Sequence, residues 1–268
     1  MREHYNLSKK LEAVAIEVGT YLRREFEKST RKIGSLKYSR KSDDSLVTKV
    51  DLASERLAMK KLRMLAPTFG YVSEETASDT YQALKNGDYF VIDPLDGTTN
   101  FVRGFPMFCF TAAAVTGGEI VAGVTYHPIL NLSFRASLGG GSFLNNKKIR
   151  ISSIENFNEA VLTTGFAYSK KNSLDEEMAA FAKVSALARA VRRPGSAALD
   201  MAYTALGVFD GFWERDLKPW DTAAGTLLVR EAGGVVTDFQ GRAYHLGANS
   251  ILASNPRLQK KFMRSVQG

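Results

Sequence analysis

The sequence predicts an α+β protein in two halves: a meandering, largely antiparallel sheet, then a layered α/β unit. Two patterns carry that expectation. Between Asp88 and Ser152 the runs YFVI, FCFTAAAV, EIVAGVTYHP, LSFRASL and KKIRIS read as strands separated by Gly, Pro or Asn turns. After Ser153 strand-like and helical stretches alternate. No repeat or low-complexity tract separates the halves. One domain over 1–268 is therefore expected, its halves at about 1–152 and 153–268.

Leu7, Leu11, Val14, Ala15, Val18, Leu22 and Phe26 recur at helical spacing, so the first element is an amphipathic helix over 7–28. The polar stretch 31–45 contains Gly34 and reads as a loop or hairpin. LVTKVD (46–51) is a short extended start to a helix over 52–65, which Pro67 stops. GYVSEET (70–76) is a strand ending in paired glutamates. The glycines of SLGGGSFLNNKK invite a phosphate-loop reading. No helix follows them and Gly-Lys-Ser/Thr is missing, so NNKK is a hairpin turn. Past Ser153 the order is AVLTTG, a helix over 174–190, ARAVRRPGS, a helix over 197–206, FDGFWE, a helix over 222–232, VVTDF and ILAS.

Composition narrows the function. The 268 residues hold 36 basic and 28 acidic side chains, net charge +8, with the two signs interspersed. The densest basic run, RAVRRPG, has three arginines. That distribution argues against a dedicated nucleic-acid protein and suits attraction of anionic metabolites. No run approaches the ~18 apolar residues of a membrane span, and MREHYNLSKK is no signal peptide. Cys109 is alone, so no internal disulfide forms, and a reducing cytoplasm is expected. It reads as a buried, inert thiol.

The chemistry concentrates in acids at the ends of elements. The strand YFVI ends in Asp93, Pro94, Leu95, Asp96, Gly97 and Thr98. Pro94 stiffens the corner, Gly97 permits a sharp turn, and the stretch from Thr98 can open a helix with unpaired amides. Glu74 and Glu75 end another strand, and Asp221 opens a helix that Gly233 stops. An isolated Asp-Gly is an ordinary turn, and an isolated Asp221 an ordinary cap. Glu74, Asp93, Asp96 and Asp221 together suggest a hard-cation site of oxygen ligands. His4, His127 and His245 stand alone, no His or Cys pair has ligand spacing, and Mg²⁺ fits better than zinc.

IDPLDGTTNF and WDTAAGTLLVREAGG resemble the two motifs of the inositol monophosphatase family, Mg²⁺-dependent and lithium-sensitive phosphatases, and look closest to its bacterial branch. LVTKVD, SEE and RRPGSAALDMAYTALGVFDGFWE resemble the blocks around them, and the likeness runs from about residue 7 to 260. It implies a layered α-β-α-β-α sandwich and a cytoplasmic homodimer hydrolysing a phosphate monoester, inositol 1-phosphate first. Two or three Mg²⁺ ions per site are implied, with Asp93 bridging two of them. Glu74 and the Leu95 carbonyl would complete one ion, Asp96 and Asp221 would hold the other, and a weaker third would lie near Glu74. The implied catalytic set is Asp51, Glu74 and Thr98, with Asp51 and Thr98 orienting a metal-activated water. Amides of Gly97 and Thr98 would grip phosphate, and Asp96, Gly195, Ser196, Ala197 and Glu214 would face the alcohol. The bland reading of Glu214 is an ion pair with Arg215 or Arg193 at the surface. Ser45 departs from the family's usual Asp or Asn, and the 31–45 stretch aligns poorly, which leaves the role of Lys41 open. The motifs bind metal and phosphate, so two alternatives stand: a sister phosphatase (histidinol phosphate, fructose 1,6-bisphosphate or a phosphoadenosine nucleotide) and an added RNA- or transcription-apparatus-binding role.

Overall fold

The structure is a computed structural model that describes residues 1–30, 37–41, 46–76, 84–166 and 174–267. Helix α1 (Arg2–Thr30) buries Leu11, Val14, Ala15, Val18, Leu22 and Phe26 along one stripe, as its periodicity requires. Strand β1 (Tyr38–Arg40) pairs antiparallel with β2 (Leu46–Thr48), the hairpin alternative for this stretch. The rest of the expected 31–45 loop, Ser45 included, lies outside the described residues. Helix α2 (Lys49–Leu65) starts three residues before the expected Leu52, because Thr48 caps it. The Thr48 hydroxyl accepts from the Val50 amide at 3.0 Å, and Asp51 Oδ2 accepts from the Thr48 amide at 2.8 Å.

The first sheet contains β3 (Gly70–Ser73), β4 (Asp88–Asp96), β5 (Cys109–Thr116), β6 (Glu119–His127), β7 (Leu132–Ser137), β8 (Gly141–Leu144) and β9 (Lys147–Lys148), in that spatial order. Only β3 and β4 pair in parallel. A short helix α3 (Thr98–Arg103) follows β4. The expected strand KKIRIS is corrected: only Lys147–Lys148 joins the ladder. The Ile149 amide still donates to the Ser142 carbonyl of β8; beyond it the chain leaves the sheet, and the Ile151 amide donates to the Ala232 carbonyl instead.

The second sheet is built from β10 (Val161–Thr164), β11 (Ala190–Arg192), β12 (Gly211–Arg215), β13 (Val235–Thr237) and β14 (Ser250–Ser254), ordered β11-β10-β12-β14-β13. Its helices are α4 (Leu174–Leu187), α5 (Ala197–Ala205), α6 (Pro219–Glu231) and α7 (Pro256–Val266). Helix α4 stops short of the expected residue 190, because the amides of Arg189 and Ala190 turn to the Ala160 carbonyl and β11 begins. Helix α6 begins three residues earlier than expected, since Pro219 in a first turn gives up no needed hydrogen bond. Helix α7 was not anticipated, although its signal is present. Asn255 accepts from the amides of Arg257 and Leu258, and Pro256 follows it.

The layers follow from which faces are apolar. Helices α1 and α2 cover one face of the first sheet, packing Leu11, Val18 and Leu62 on Phe90, Ile92 and Ala112. The opposite face, with Val91, Ala113 and Phe134, meets α5 and α6 through Met201, Ala223 and Leu227. Phe212, Ile251 and Ala253 of the second sheet close the same core from beyond these helices. The far face of the second sheet packs Leu162, Trp213 and Leu252 against Val184 of α4 and Leu258 and Phe262 of α7. This is the α-β-α-β-α sandwich. Among the described residues no helix is long and apolar enough to cross a membrane.

Candidate active site

Strict alternation along β4 would send Asp93 and Asp96 to opposite faces of the sheet. A bulge prevents it. Asp93 pairs with Thr111 and Asp96 with Cys109, so three steps on β4 match two on β5. Leu95 sinks into the α1/α2 core, while Asp96 reaches α5 on the other side, accepting from Ser196 Oγ at 2.5 Å and the Ala198 amide at 2.9 Å. Pro94 cannot donate to the ladder, and its carbonyl accepts from Ser54 Oγ at 2.7 Å. Gly97 turns the chain into α3 at φ +90°, where a Cβ would meet the Met107 carbonyl oxygen at 2.8 Å. Phe101 then anchors α3 against Phe108 and Phe26, with ring centroids 4.9 and 5.4 Å away. Each such buried ring contributes about 1.5–3 kcal/mol, enough to hold a six-residue helix that would not persist alone.

The other expected residues arrive from five further elements, α2, β3, α5, β12 and α6. Glu74 follows β3, whose parallel pairing with β4 brings both strand ends to one side. Its amide donates to the Ile92 carbonyl. Asp51, in the first turn of α2 and fully buried, receives the Thr48 hydroxyl at 2.6 Å. The Thr98 hydroxyl lies 2.9 Å from Asp51 Oδ1 and 3.0 Å from the Leu95 carbonyl oxygen, and donates to one at a time. Asp221 is the third residue of α6, where its Oδ2 accepts from the Lys218 amide at 2.7 Å. Glu74, Asp96, Gly97, Gly195, Ser196, Ala197, Glu214 and Asp221 all border one cavity of about 560 Å³. Another, of about 430 Å³, lined by Leu84, Ile120, Leu227 and Tyr244, contains none of the expected residues.

The electrostatics are those of charges crowded without enough counter-charge. Burial, then the charges of Glu74, Asp96 and Asp221, pushes Asp93 well above the usual carboxylate range. Burial, then Asp96 and Glu74, does the same to Asp221. Burial moves Asp96 to about 6, against the pull of the Ser196 hydroxyl and the Ala198 amide. Burial likewise raises Asp51, which the Thr48 and Thr98 hydroxyls partly offset. Lys41 is the protein cation that pairs with the glutamates, its Nζ 2.6 Å from Glu74 Oε1 and 2.7 Å from Glu75 Oε1, while Arg193, Arg215 and Lys218 also border the cavity. Burial opposes its charge, but the two glutamates prevail and hold it protonated above its ordinary range. Glu75 still rises to about 7, from burial first.

A hard cation fits this donor set. The groups are carboxylate oxygens, each of the four acids uses one oxygen for a protein donor, and crowding favours an added positive charge. Among the described residues no three donors already stand in finished ligand geometry, because Glu74 is turned to Lys41 and Asp96 to Ser196. Cys109 is buried as expected and free, its Sγ 3.7 Å from Asp96 Oδ2, and burial pushes its thiol up.

Glu214 departs from its bland reading. It is 8% exposed, Arg215 pairs with Glu176 at 3.2 Å, and Arg193 lies over the Phe166 ring at 4.4 Å. Burial first, then Asp221 and Asp96, raises its carboxyl well above the usual range. Ser196 differs in emphasis from a plain alcohol contact: it caps α5 and fixes Asp96. Sequence reasoning missed Asn100, whose side-chain amide donates to the carbonyls of Met107 and Pro194 and ties α3 to the Gly195 turn. It also missed Asp200, 1% exposed on α5 and bordering the cavity. An aspartate inside AALDMAYTAL was the available signal.

Comparison with known proteins bears on the family and the fold. The sequence profile of the Inositol monophosphatase family matches residues 5–268. An inositol-1-monophosphatase of Rhizobium meliloti (strain 1021) is 36% identical over 251 residues, covering 94% of this chain and 92% of that protein. The Nus factor SuhB of Escherichia coli (strain K12) is 38% identical over 229 residues, 85% of each. The crystal structure of the extragenic suppressor protein suhB from Bartonella henselae superposes with a TM-score of 0.89 at 34% identity, covering 98% of both chains.

Proposed function

The chain belongs to the inositol monophosphatase family, and from that premise we propose that it is a Mg²⁺-dependent phosphatase converting inositol 1-phosphate to inositol and phosphate. The observation that carries the reading is the bulge in β4, which sets Asp96 on the cavity that Glu74, Asp221 and Glu214 also border, with Asp93 buried behind it and feeling the charges of Glu74, Asp96 and Asp221. Asp93, Asp96, Asp221, Glu74 and the Leu95 carbonyl are the proposed ligands, and two or three ions are the proposed complement. Bound Mg²⁺ would supply charge neutralisation at the phosphoryl group and its leaving oxygen.

The chain's own residues have separable tasks in this proposal. Thr98 and Asp51 hold the attacking water in line, with Thr98 passing its proton toward Asp51 and receiving one from the water. Glu74 completes the catalytic set once it leaves Lys41. Amides of Gly97 and Thr98, at the start of α3, bind phosphate oxygens. Gly195, Ser196, Ala197, Asp96 and Glu214 face the alcohol. A phosphoryl transfer of this kind needs positioning and electrostatics, and no covalent nucleophile is invoked.

The test is phosphate release from inositol 1-phosphate, histidinol phosphate, fructose 1,6-bisphosphate and a phosphoadenosine nucleotide, with Mg²⁺ and with EDTA. Inositol 1-phosphate is expected to be preferred, and only with Mg²⁺. Preference for another substrate keeps the phosphatase and replaces its substrate. Residues 1–268 are proposed as one domain, since α5 and α6 pack on both sheets. A cytoplasmic homodimer and lithium sensitivity are proposed from the family resemblance. The relatives named Nus factor SuhB favour a second reading, an added role at the transcription apparatus. Binding to RNA that weakens steeply with salt would support it.

A further inference from the structure

Asp221 stands in the first turn of α6, and the last turns of the same helix border the second cavity, of about 430 Å³. A cavity of that volume is ligand-sized. It lies between α6, the Gly117–Gly118 turn that joins β5 to β6, and the stretch 244–246. Among the described residues its walls are mainly apolar, with Leu84, Ile120, Leu138, Leu227 and Leu246. The polar groups on it are not equivalent. Lys85 and Glu119 are of opposite sign, and His245 Nδ1 accepts from the Gly247 amide at 3.2 Å. Glu231 Oε1 and Oε2 accept from the Gly139 and Gly141 amides, both at 2.7 Å, so this acid serves the backbone. Arg230 is different. Its Nη2 donates to the Tyr244 carbonyl at 2.8 Å, and among the described residues no carboxylate stands within ion-pair distance of it.

Part of Arg230 reaches solvent, yet burial holds its guanidinium below the ordinary range, so the surroundings work against a charge that arginine does not shed. The bond to Tyr244 sets the guanidinium at the edge of the cavity. Tyr244 is itself fixed, 5% exposed, with its hydroxyl donating to Thr222 Oγ1 at 3.0 Å. We propose that this cavity is a second binding site, for a small amphipathic anion whose apolar body fills the leucine-lined space while its anionic head group pairs with Arg230. The guanidinium has further N–H donors for such a head group, and hydrogen bonds between two charged groups are the strong ones. A neutral apolar molecule would leave the arginine without a counter-charge, and a cation would meet it as a like charge. Nothing in the site depends on the phosphatase reading, because none of the proposed metal, phosphate or alcohol contacts borders it.

The test titrates the full chain with 8-anilinonaphthalene-1-sulfonate and with N-phenyl-1-naphthylamine, which has the same body without the sulfonate. Fluorescence and calorimetry read binding, beside thermal melts. Wild type is expected to bind one sulfonate probe per chain, at least tenfold more tightly than the neutral one. Arg230→Gln should weaken the sulfonate at least tenfold and change the neutral probe less than twofold. Arg230→Lys, which keeps the charge, should stay within about threefold of wild type. Leu138→Trp, which fills the cavity, should remove both probes. Absence of saturable sulfonate binding overturns the proposal. So does binding that Arg230→Gln leaves within twofold, which marks an apolar surface elsewhere, or displacement by inositol 1-phosphate with Mg²⁺, which puts the probe in the other cavity. An equal loss of both probes in Arg230→Gln with a lowered melt marks a structural arginine and also overturns it. Should Arg230→Gln not fold, Arg230→Met carries the same comparison.

Discussion

Two regions of this protein bury charge, and they do it in opposite ways. Where α1 crosses β7, Arg135 is 1% exposed and Glu12 7% exposed. Glu12 accepts from Arg135 Nε at 3.0 Å and from Ser133 Oγ at 2.8 Å. The guanidinium lies 4.9 Å from the centroid of Tyr5 and 4.4 Å from that of Phe143. This region pairs its opposite charges within the chain, leaving only Arg135 Nη1 without a hydrogen bond, and its consequence is to fix α1 against the sheet. Around β4 the acids outnumber their protein cations, and burial raises Asp93, Asp96, Asp221 and Glu214 together. A fold keeps such an arrangement when something outside the chain completes it. The contrast separates a structural charge from a functional one by how many of its partners the protein supplies.

The sharpest way to break the comparison is to neutralise one acid. Asp93→Asn keeps volume and loses the charge proposed to bridge two cations. Turnover is expected to fall by roughly 10³-fold or more, since the cations supply several kcal/mol of transition-state stabilisation. The melt should stay at or above that of the wild-type apo protein, because a repelling charge is gone. Near wild-type phosphate release at saturating Mg²⁺ would falsify the ligand role of Asp93. The mirror experiment is Arg135→Ala, which strands Glu12 in the core. About 3–5 kcal/mol of stability should be lost, read by denaturant unfolding, as for other broken buried pairs. Turnover per folded molecule should hold if this region is only structural.

Smaller effects sharpen the boundary. Thr98→Ala removes a hydrogen bond to a charged group, worth about 1.5–3 kcal/mol. It is expected to lower kcat about tenfold to a hundredfold with little change in KM. A raised KM alone would show that Thr98 binds substrate and does not orient water. The smallest effect is on pH and metal dependence of stability. Asp96 moves from 3.8 to about 6 and Glu75 from 4.5 to about 7. Between the ordinary and the raised values the folded apo protein holds more protons than the unfolded chain. Its stability therefore falls as pH rises through that window. In EDTA the melt should be a few degrees higher near pH 5.5 than near pH 8, as ~1 kcal/mol moves a domain of this size by about 2–4 °C. Millimolar Mg²⁺ should raise the pH 8 melt and narrow the gap. A gap that Mg²⁺ leaves untouched would place the repulsion outside the metal site.

Much of this was legible in the chain because its signals are local. The apolar stripe of α1, the glycine and proline turns between strands, and the stop of α6 at Gly233 act over a few residues, where covalent geometry and hydrophobic period decide. The motifs around Asp93 and Asp221 also named most of the acids. Three things needed the tertiary structure. Whether Asp93 and Asp96 share a face depends on a bulge in the pairing of β4 with β5, and pairing is a property of two strands. Whether Glu214 is a surface charge or a buried one depends on Gly165, 49 positions away in the chain and in contact with its carboxyl group. Lys41, unassigned in the sequence, meets Glu74 and Glu75 only because β1 and β2 bring it there. Sequence determines what each residue offers: a carboxylate, a left-handed turn, an apolar face. Burial and charge crowding decide which carboxylates are left seeking a cation, and those depend on every neighbour the fold assembles at once.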